Sequence, residues 1–264
     1  MCYDIRFLTK KKLQYARRFA SSEEDIHELE EQLHKLGERT GPYYHISGFA
    51  HPDVPVITNE NRRHIRLYNW GLIPRWVKDV NQAVTLSNKT LNARGEEMFE
   101  KPAYRSAARH RRCLVMVDGF FEHHWKYNKA YPYHITLKND EPMALGGLWE
   151  TWEEKQSGLI RQTFTIVTAR ANTLMGRIHN KPRGSAGPRM PLIIPKELED
   201  EWLRPVDNQT DIQRIKEMVA PYDENELEAH TVARLKGKSA VGNIPVAVEK
   251  VSYEELENDQ EKLF

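Results

Sequence analysis

Cysteine is almost missing from this chain: its 264 residues include two, Cys2 and Cys113. A pair so sparse and so far apart excludes the disulfide frameworks on which small secreted domains rely, and a chain of this length can bury a core without them. Long apolar runs are missing too. No stretch approaches the ~18–20 residues of a membrane-spanning helix. Met1-Cys2-Tyr3-Asp4-Ile5-Arg6-Phe7-Leu8 leads into Lys10-Lys11-Lys12, not into the apolar segment of a secretory signal, so the protein is expected inside the cell. Nor is there an excess of charge. With 39 Lys and Arg against 38 Asp and Glu the net charge is +1, which argues against wholesale polyanion binding but leaves room for local patches. Gly and Pro, 14 each, are too few for a disordered or collagen-like chain. Internal repeats and low-complexity linkers are absent as well.

What is present reads as one α+β domain over 1–264, with a mixed, strongly bent sheet forming a β-barrel-like core and peripheral helices. A first strand falls at about Cys2 to Leu8. Ser21-Ser22-Glu23-Glu24-Asp25 has the capping hydroxyls and first-turn acids of a helix start. Ile26, Leu29, Leu33 and Leu36 follow at spacings of 3, 4 and 3, with Gly37 as the stop. Short β-like runs then dominate: Val54 to Thr58, His64 to Asn69, Cys113 to Val117, Phe120 to Trp125, Tyr133 to Leu137, Met143 to Trp149, Thr163 to Thr168 and Arg189 to Ile194. Turns such as Asp118-Gly119 and Asn139-Asp140 separate them, the texture of a barrel or bent sheet. Helical stretches are expected near Arg94 to Phe99, Lys196 to Leu203 and Gln209 to Val219. The acidic tail from about 253 to 264 is expected at the periphery.

Four groups of residues can carry chemistry. Behind an initiator Met, a small residue normally allows the Met to be trimmed, which would leave Cys2 with a free α-amine and a thiol on adjacent carbons. Their ordinary pKa values, about 7.7–8.0 and about 8.5, leave both partly nucleophilic at neutral pH. The amine can form a Schiff base with an aldehyde and the thiol can close a five-membered ring onto it; an N-terminal nucleophile can equally attack an amide or ester. In Leu91-Asn92-Ala93-Arg94-Gly95-Glu96, Asn92 both donates and accepts, and Arg94 can fork onto a phosphate with Glu96 in reach of the guanidinium. Glu122, between Phe121 and Trp125, follows an apolar strand and is expected to lose solvent, which favours the protonated carboxyl needed for proton transfer. His179 ends a short helical segment before a cationic loop, a suitable place for a general acid or base. His123 and His124 invite a metal reading, but neighbours on a strand point to opposite faces and cannot easily share one ion. Trp76, beside Arg75, and the run Arg105, Arg109, Arg111 and Arg112 offer a stacking surface and a cationic track; Trp70 reads as core.

Taken together these pieces resemble the SOS-response-associated peptidase (SRAP) family. The resemblance runs from Met1-Cys2 through Trp70-Gly71-Leu72-Ile73-Pro74-Arg75-Trp76, Asn92-Ala93-Arg94, the segment from Arg112 to Glu122, Ile178-His179-Asn180 and Arg189-Met190-Pro191 to Gly242-Asn243-Ile244-Pro245. It implies that Cys2, once Met1 is removed, forms a thiazolidine with the ring-opened aldehyde of an abasic site in single-stranded DNA, shielding the lesion as a DNA-protein cross-link. In that scheme Asn92 positions the N-terminus and the sugar, His179 opens the sugar, Glu122 shuttles protons, Arg94 and Arg189 grip phosphates and Trp76 stacks near the lesion. No metal and no cofactor is implied. The partner is single-stranded DNA, the expected state a monomer, and the expected location the cytoplasm, nucleoid-associated in a bacterium.

Three features depart from the family's common pattern. Tyr3 and Asp4 stand where Gly and Arg are usual, with Arg6 as a replacement cation. Tyr44-His45-Ile46-Ser47-Gly48-Phe49 replaces a familiar pocket wall, and Lys181 to Pro188 inserts a basic loop. The rival readings are a thiol-dependent peptidase or amidase, including removal of the chain's own Met1, and a non-catalytic single-strand-binding module.

Overall fold

The computed structural model describes residues 2–10, 12–20, 22–181 and 187–256. Its strands are β1 (Asp4–Phe7), β2 (Tyr43–Ser47), β3 (Asp53–Thr58), β4 (Asn61–Trp70), β5 (Asn92–Arg94), β6 (Arg112–Val117), β7 (Gly119–Lys126), β8 (Lys129–Leu137), β9 (Met143–Glu153), β10 (Ile160–Arg170), β11 (Arg189–Pro191), β12 (Ile193–Ile194) and β13 (Leu227–Thr231). Its α-helices are α1 (Lys12–Phe19), α2 (Glu23–Thr40), α3 (Val80–Ser87), α4 (Arg105–His110), α5 (Thr173–Ile178), α6 (Glu199–Trp202) and α7 (Gln209–Glu217).

The runs rich in Val, Ile and aromatic residues form the strands, because branched and flat side chains pack well on a pleated surface. Five of them close into a barrel. β10 pairs in parallel with β4, and antiparallel pairings then run from β4 to β3, β6 and β9 and back to β10. A barrel this small has no room for a channel, and buried residues of the ring, among them Val56, Trp70, Val115, Leu145 and Phe164, join one apolar cluster. Gly147 allows the close approach: a Cβ there would lie 2.8 Å from the sulfur of Cys113, its partner across the ladder. Cys113 is thereby a fully buried core residue.

A second sheet, in the order β13-β8-β7-β1-β2, lies beside the barrel. Asp118-Gly119, expected as a turn between strands, is the crossing from β6 in the barrel to β7 in the second sheet. A Cβ on Gly119 would meet the Ile135 carbonyl at 2.6 Å, so only glycine passes here. The buried Asp118 carboxylate accepts from the Thr9 amide (2.8 Å), the Thr9 hydroxyl (2.5 Å) and the Tyr15 hydroxyl, which ties the segment after β1 to this crossing.

Helix α2 starts where expected, with Ser22 accepting from the Asp25 amide, and buries Leu29, Leu33 and Leu36. It runs through Gly37 and ends at Gly41, whose φ of 70° suits glycine. Gly37 serves close packing: a Cβ there would come within 3.2 Å of the Lys12 side chain on α1. The tail is anchored at its start. Tyr253 donates to the Val232 carbonyl at 2.7 Å and Leu256 is fully buried; the rest of the expected acidic tail lies outside the described residues. Among the described residues no helix is long and apolar enough to cross a membrane.

Candidate functional site

Strand register brings the first site residues together. β1 lies antiparallel to β7 with Asp4 opposite Phe121, so the chain preceding β1 runs alongside Glu122. Cys2 is buried there, with its thiol 3.9 Å from the Asp4 carbonyl. Burial pushes the Cys2 thiol well above the ordinary range, and the neighbouring Glu122 carboxylate pushes it further. A thiolate here would lose water and face a carboxylate, so the buried site disfavours the ionised form that the ordinary thiol pKa leaves partly populated.

Glu122 and His179 come from different elements and meet at the same place. Glu122, on β7, is buried; its Oε1 accepts from the His123 amide at 2.9 Å and its Oε2 lies 3.8 Å from His179 Nδ1. His179 caps the C-terminus of α5, and its Nδ1 lies 3.1 Å from both the amide nitrogen and the carbonyl oxygen of Arg189.

β10 gathers the remaining group. It pairs with β5, placing Thr168 opposite Arg94, and with β11, placing Arg170 opposite Arg189. Asn92 carries a buried side-chain amide whose nitrogen and oxygen have no partner among the described groups. It faces a cleft of about 490 Å³ lined also by Tyr3, Trp76, Arg94, Lys101 and Tyr104. Trp76 is half exposed, with its indole N–H 3.4 Å from the Pro102 carbonyl, whereas Trp70 is buried and donates to Leu91. Arg94 pairs with Glu97 at 3.2 Å and stays partly open to solvent. Glu96, read as a partner for Arg94, holds Arg189 instead at 2.7 Å. Arg189 is buried and also donates to the Thr168 hydroxyl and carbonyl, so a phosphate would have to compete with Glu96 for its guanidinium.

Sequence reasoning missed the charged cluster behind β1. Asp4 is buried between His45 Nε2 at 3.2 Å and Lys236 Nζ at 2.6 Å. Burial pushes its carboxyl up, but the His45 hydrogen bond and the Lys236 ammonium outweigh this and hold it below the ordinary carboxylate range. The only signal was an Asp where the family has Arg; its partners lie far along the chain. Arg6, the candidate replacement cation, is occupied by the Thr9 hydroxyl at 2.7 Å and lies 3.9 Å from Asp118. A carboxyl held down in this way stabilises the fold above the unfolded Asp pKa of about 4 and loses that contribution as the pH falls through its folded value. Lys236→Met is therefore expected to move acid unfolding to higher pH and to cost about 1 kcal/mol at pH 7, since Lys236 is half exposed. Urea melts at pH 7 and pH 4 check this; identical melts for both proteins would remove Lys236 from the account.

The adjacent histidines have different surroundings. His123 is partly buried, and burial and then Lys236 lower its pKa; His124 Nδ1 lies 3.0 Å from the Arg177 carbonyl. Among the described residues no group of three or more His, Cys, Asp or Glu is arranged to hold a metal ion.

Cys2, Glu122 and His179 thus lie together on a closed barrel flanked by a second sheet. The chain belongs to the SOS response associated peptidase (SRAP) family, whose model matches residues 1–239. It is 33% identical over 212 residues to the abasic site processing protein YoqW of Bacillus subtilis, covering 78% of this chain and 87% of that one. It is 30% identical to the abasic site processing protein YMR114C of Saccharomyces cerevisiae over 70% of this chain and 47% of the yeast protein. A crystal structure of a protein from Bacteroides thetaiotaomicron superposes with a TM-score of 0.79 at 28% identity, covering 95% of this chain and all of that one.

Proposed function

We propose that this protein processes abasic sites in single-stranded DNA by capturing the lesion covalently at Cys2 after loss of Met1. The observation that carries the proposal is the convergence of Cys2, Glu122 and His179 close to a cleft where the buried Asn92 amide lacks a partner. The names of the relatives support the choice of an abasic site as substrate.

The chemistry follows from the geometry. An abasic sugar is mostly a closed hemiacetal, and His179 moves the proton that opens it to the aldehyde. The Cys2 amine attacks the carbonyl carbon and water leaves, giving an imine. The Cys2 thiol then adds to the imine carbon. A carbon–sulfur bond forms, the thiol proton ends on the ring nitrogen, and Glu122 relays it. A thiol held protonated by burial fits this order, amine first and sulfur second, better than it fits a thiolate attacking a peptide. Asn92 supplies the donor and acceptor that fix the sugar, and Arg94 and Trp76 receive the strand. Arg189 takes part in phosphate binding once Glu96 is displaced. The protein acts as a monomer, without metal or cofactor.

The test is incubation of Met1-processed protein with single-stranded DNA carrying one abasic site. A heat-stable shifted band and an intact-mass adduct at Cys2 are expected. Cys2→Ser keeps the amine but loses the sulfur, so its adduct is expected to survive heating only after reduction. No adduct with the wild type overturns the proposal. Release of a peptide product instead favours the peptidase reading, and binding with neither adduct nor cleavage favours the module.

A further inference from the structure

Beyond Glu122, β7 continues to an exposed aromatic end that the capture scheme leaves unused. Trp125 is 36% exposed and Tyr127 80% exposed. Tyr127 and Asn128, both with positive φ (49° and 59°), form the two-residue connection to β8, the kind of turn whose twist matches a tight hairpin. Each ring carries an ammonium. Lys181 Nζ lies 4.2 Å from the Trp125 ring centre and Lys126 Nζ lies 5.4 Å from that of Tyr127. Lys129, the residue paired with Lys126, meets Glu255 at 3.1 Å.

This end is clamped to the catalytic group. The Asn180 side chain accepts from the Trp125 amide and donates to the Trp125 carbonyl, both at 2.8 Å, as a neighbouring strand would. Asn180 directly follows His179. Trp125 is thus fixed on one side by the strand that bears Glu122 and on the other by the residue next to His179.

We infer that the β7–β8 hairpin is a second contact for single-stranded DNA, taking bases that flank the lesion onto Trp125 and Tyr127. The inference rests on the function proposed above. Exposed rings backed by ammonium groups on a rigid hairpin fit a polyanion with flat faces; such rings and cations are the components of single-strand binders. At ~3.3 Å per residue, Trp125 stands about 10 Å from Glu122 along the strand and, three positions on, points to its other face, so the DNA has to pass round the end of β7, a path of at least roughly three nucleotides at ~3.4 Å each. A five-nucleotide strand centred on the lesion is too short to reach Tyr127, whereas a fifteen-nucleotide strand is long enough.

Fluorescence anisotropy with five- and fifteen-nucleotide strands tests this, each bearing a central tetrahydrofuran analogue that lacks the aldehyde and cannot cross-link. The wild type is expected to bind the longer strand at least about 10-fold more tightly, since stacking contributes ~1–3 kcal/mol per base, or roughly 5- to 150-fold. Trp125→Ala combined with Tyr127→Asn, in which Asn keeps the turn conformation, is expected to lose most of that ratio. Trp125→Phe with Tyr127→Phe, which keeps both rings, is expected to retain it. An unchanged ratio in the ring-less protein overturns the inference alone, as does equal loss in the ring-keeping protein. A wild type that binds neither strand overturns the proposed function and the hairpin contact with it.

Discussion

Glu122→Gln is expected to slow covalent capture of an abasic strand by about 10²-fold or more, a scale typical of lost acid-base catalysis. Glutamine is close in size and can still accept from the His123 amide, which now meets the carboxylate at 2.9 Å, so the fold around β7 is retained. What it cannot do is take a proton and return it, and both imine formation and addition of a protonated thiol need that. His179→Ala is expected to slow capture to a similar degree. Its Nδ1 is fixed by the Arg189 backbone at 3.1 Å and stands 3.8 Å from Glu122, close enough that under the proposed scheme the two are expected to be coupled. The double variant should therefore be far less impaired than the product of the two single effects. Single-turnover cross-linking followed by intact mass gives the three rates. Rates within a few-fold of the wild type for either single variant would remove that residue from the mechanism.

Much of the architecture was legible in the pattern of residues. Runs of branched and aromatic side chains marked the barrel strands, because fully buried strands must be apolar nearly throughout, and α2 announced itself through its cap and its leucine stripe. The elements that escaped carry little local signal. α1 is short and carries Lys12, Arg17 and Arg18 among its eight residues, yet buries Tyr15, Ala16 and Arg18 against the rest of the protein. β5 has three residues and exists because β10 offers an unpaired stretch beside it. Cys2, Glu122 and His179 could be picked out as candidates because each residue type has a distinctive reactivity where it stands. Which cation faces which carboxylate could not, since Arg189 with Glu96 and Asp4 with Lys236 are joined only by the fold. The same holds for Asn180, whose hold on Trp125 spans 55 positions.

The largest effect on stability is expected at Arg112. In the sequence it belongs to a run of arginines that reads as a cationic track for DNA, yet its side chain is almost wholly buried. Nε donates to the Trp202 carbonyl at 2.6 Å, Nη1 to the Ala108 and Arg109 carbonyls at 2.5 and 3.2 Å, and Nη2 to the Arg204 carbonyl. These acceptors lie at or just beyond the C-terminal ends of α4 and α6, where carbonyls lack helical partners and the helix dipole is negative. One guanidinium thus joins two helix ends to β6, its Cζ lying 5.9 Å from the centre of the Trp202 ring. Burial pulls its pKa down to about 10, still high enough for the side chain to be charged at neutral pH. Arg112→Ala would leave those carbonyls buried and unpaired, and is expected to cost about 3–5 kcal/mol in urea or guanidinium unfolding. Arg112→Lys keeps the charge but cannot reach four acceptors from one nitrogen, so it is expected to recover only part of that. Arg105→Ala, on the exposed part of the same run, is expected to stay within about 0.5 kcal/mol. If Arg112→Ala unfolds like Arg105→Ala, the carbonyl-tying role is wrong and the run regains its reading as a DNA track. If it unfolds early but the fraction still folded in the cold binds DNA as the wild type does, Arg112 is a structural cation whose charge was spent inside the protein.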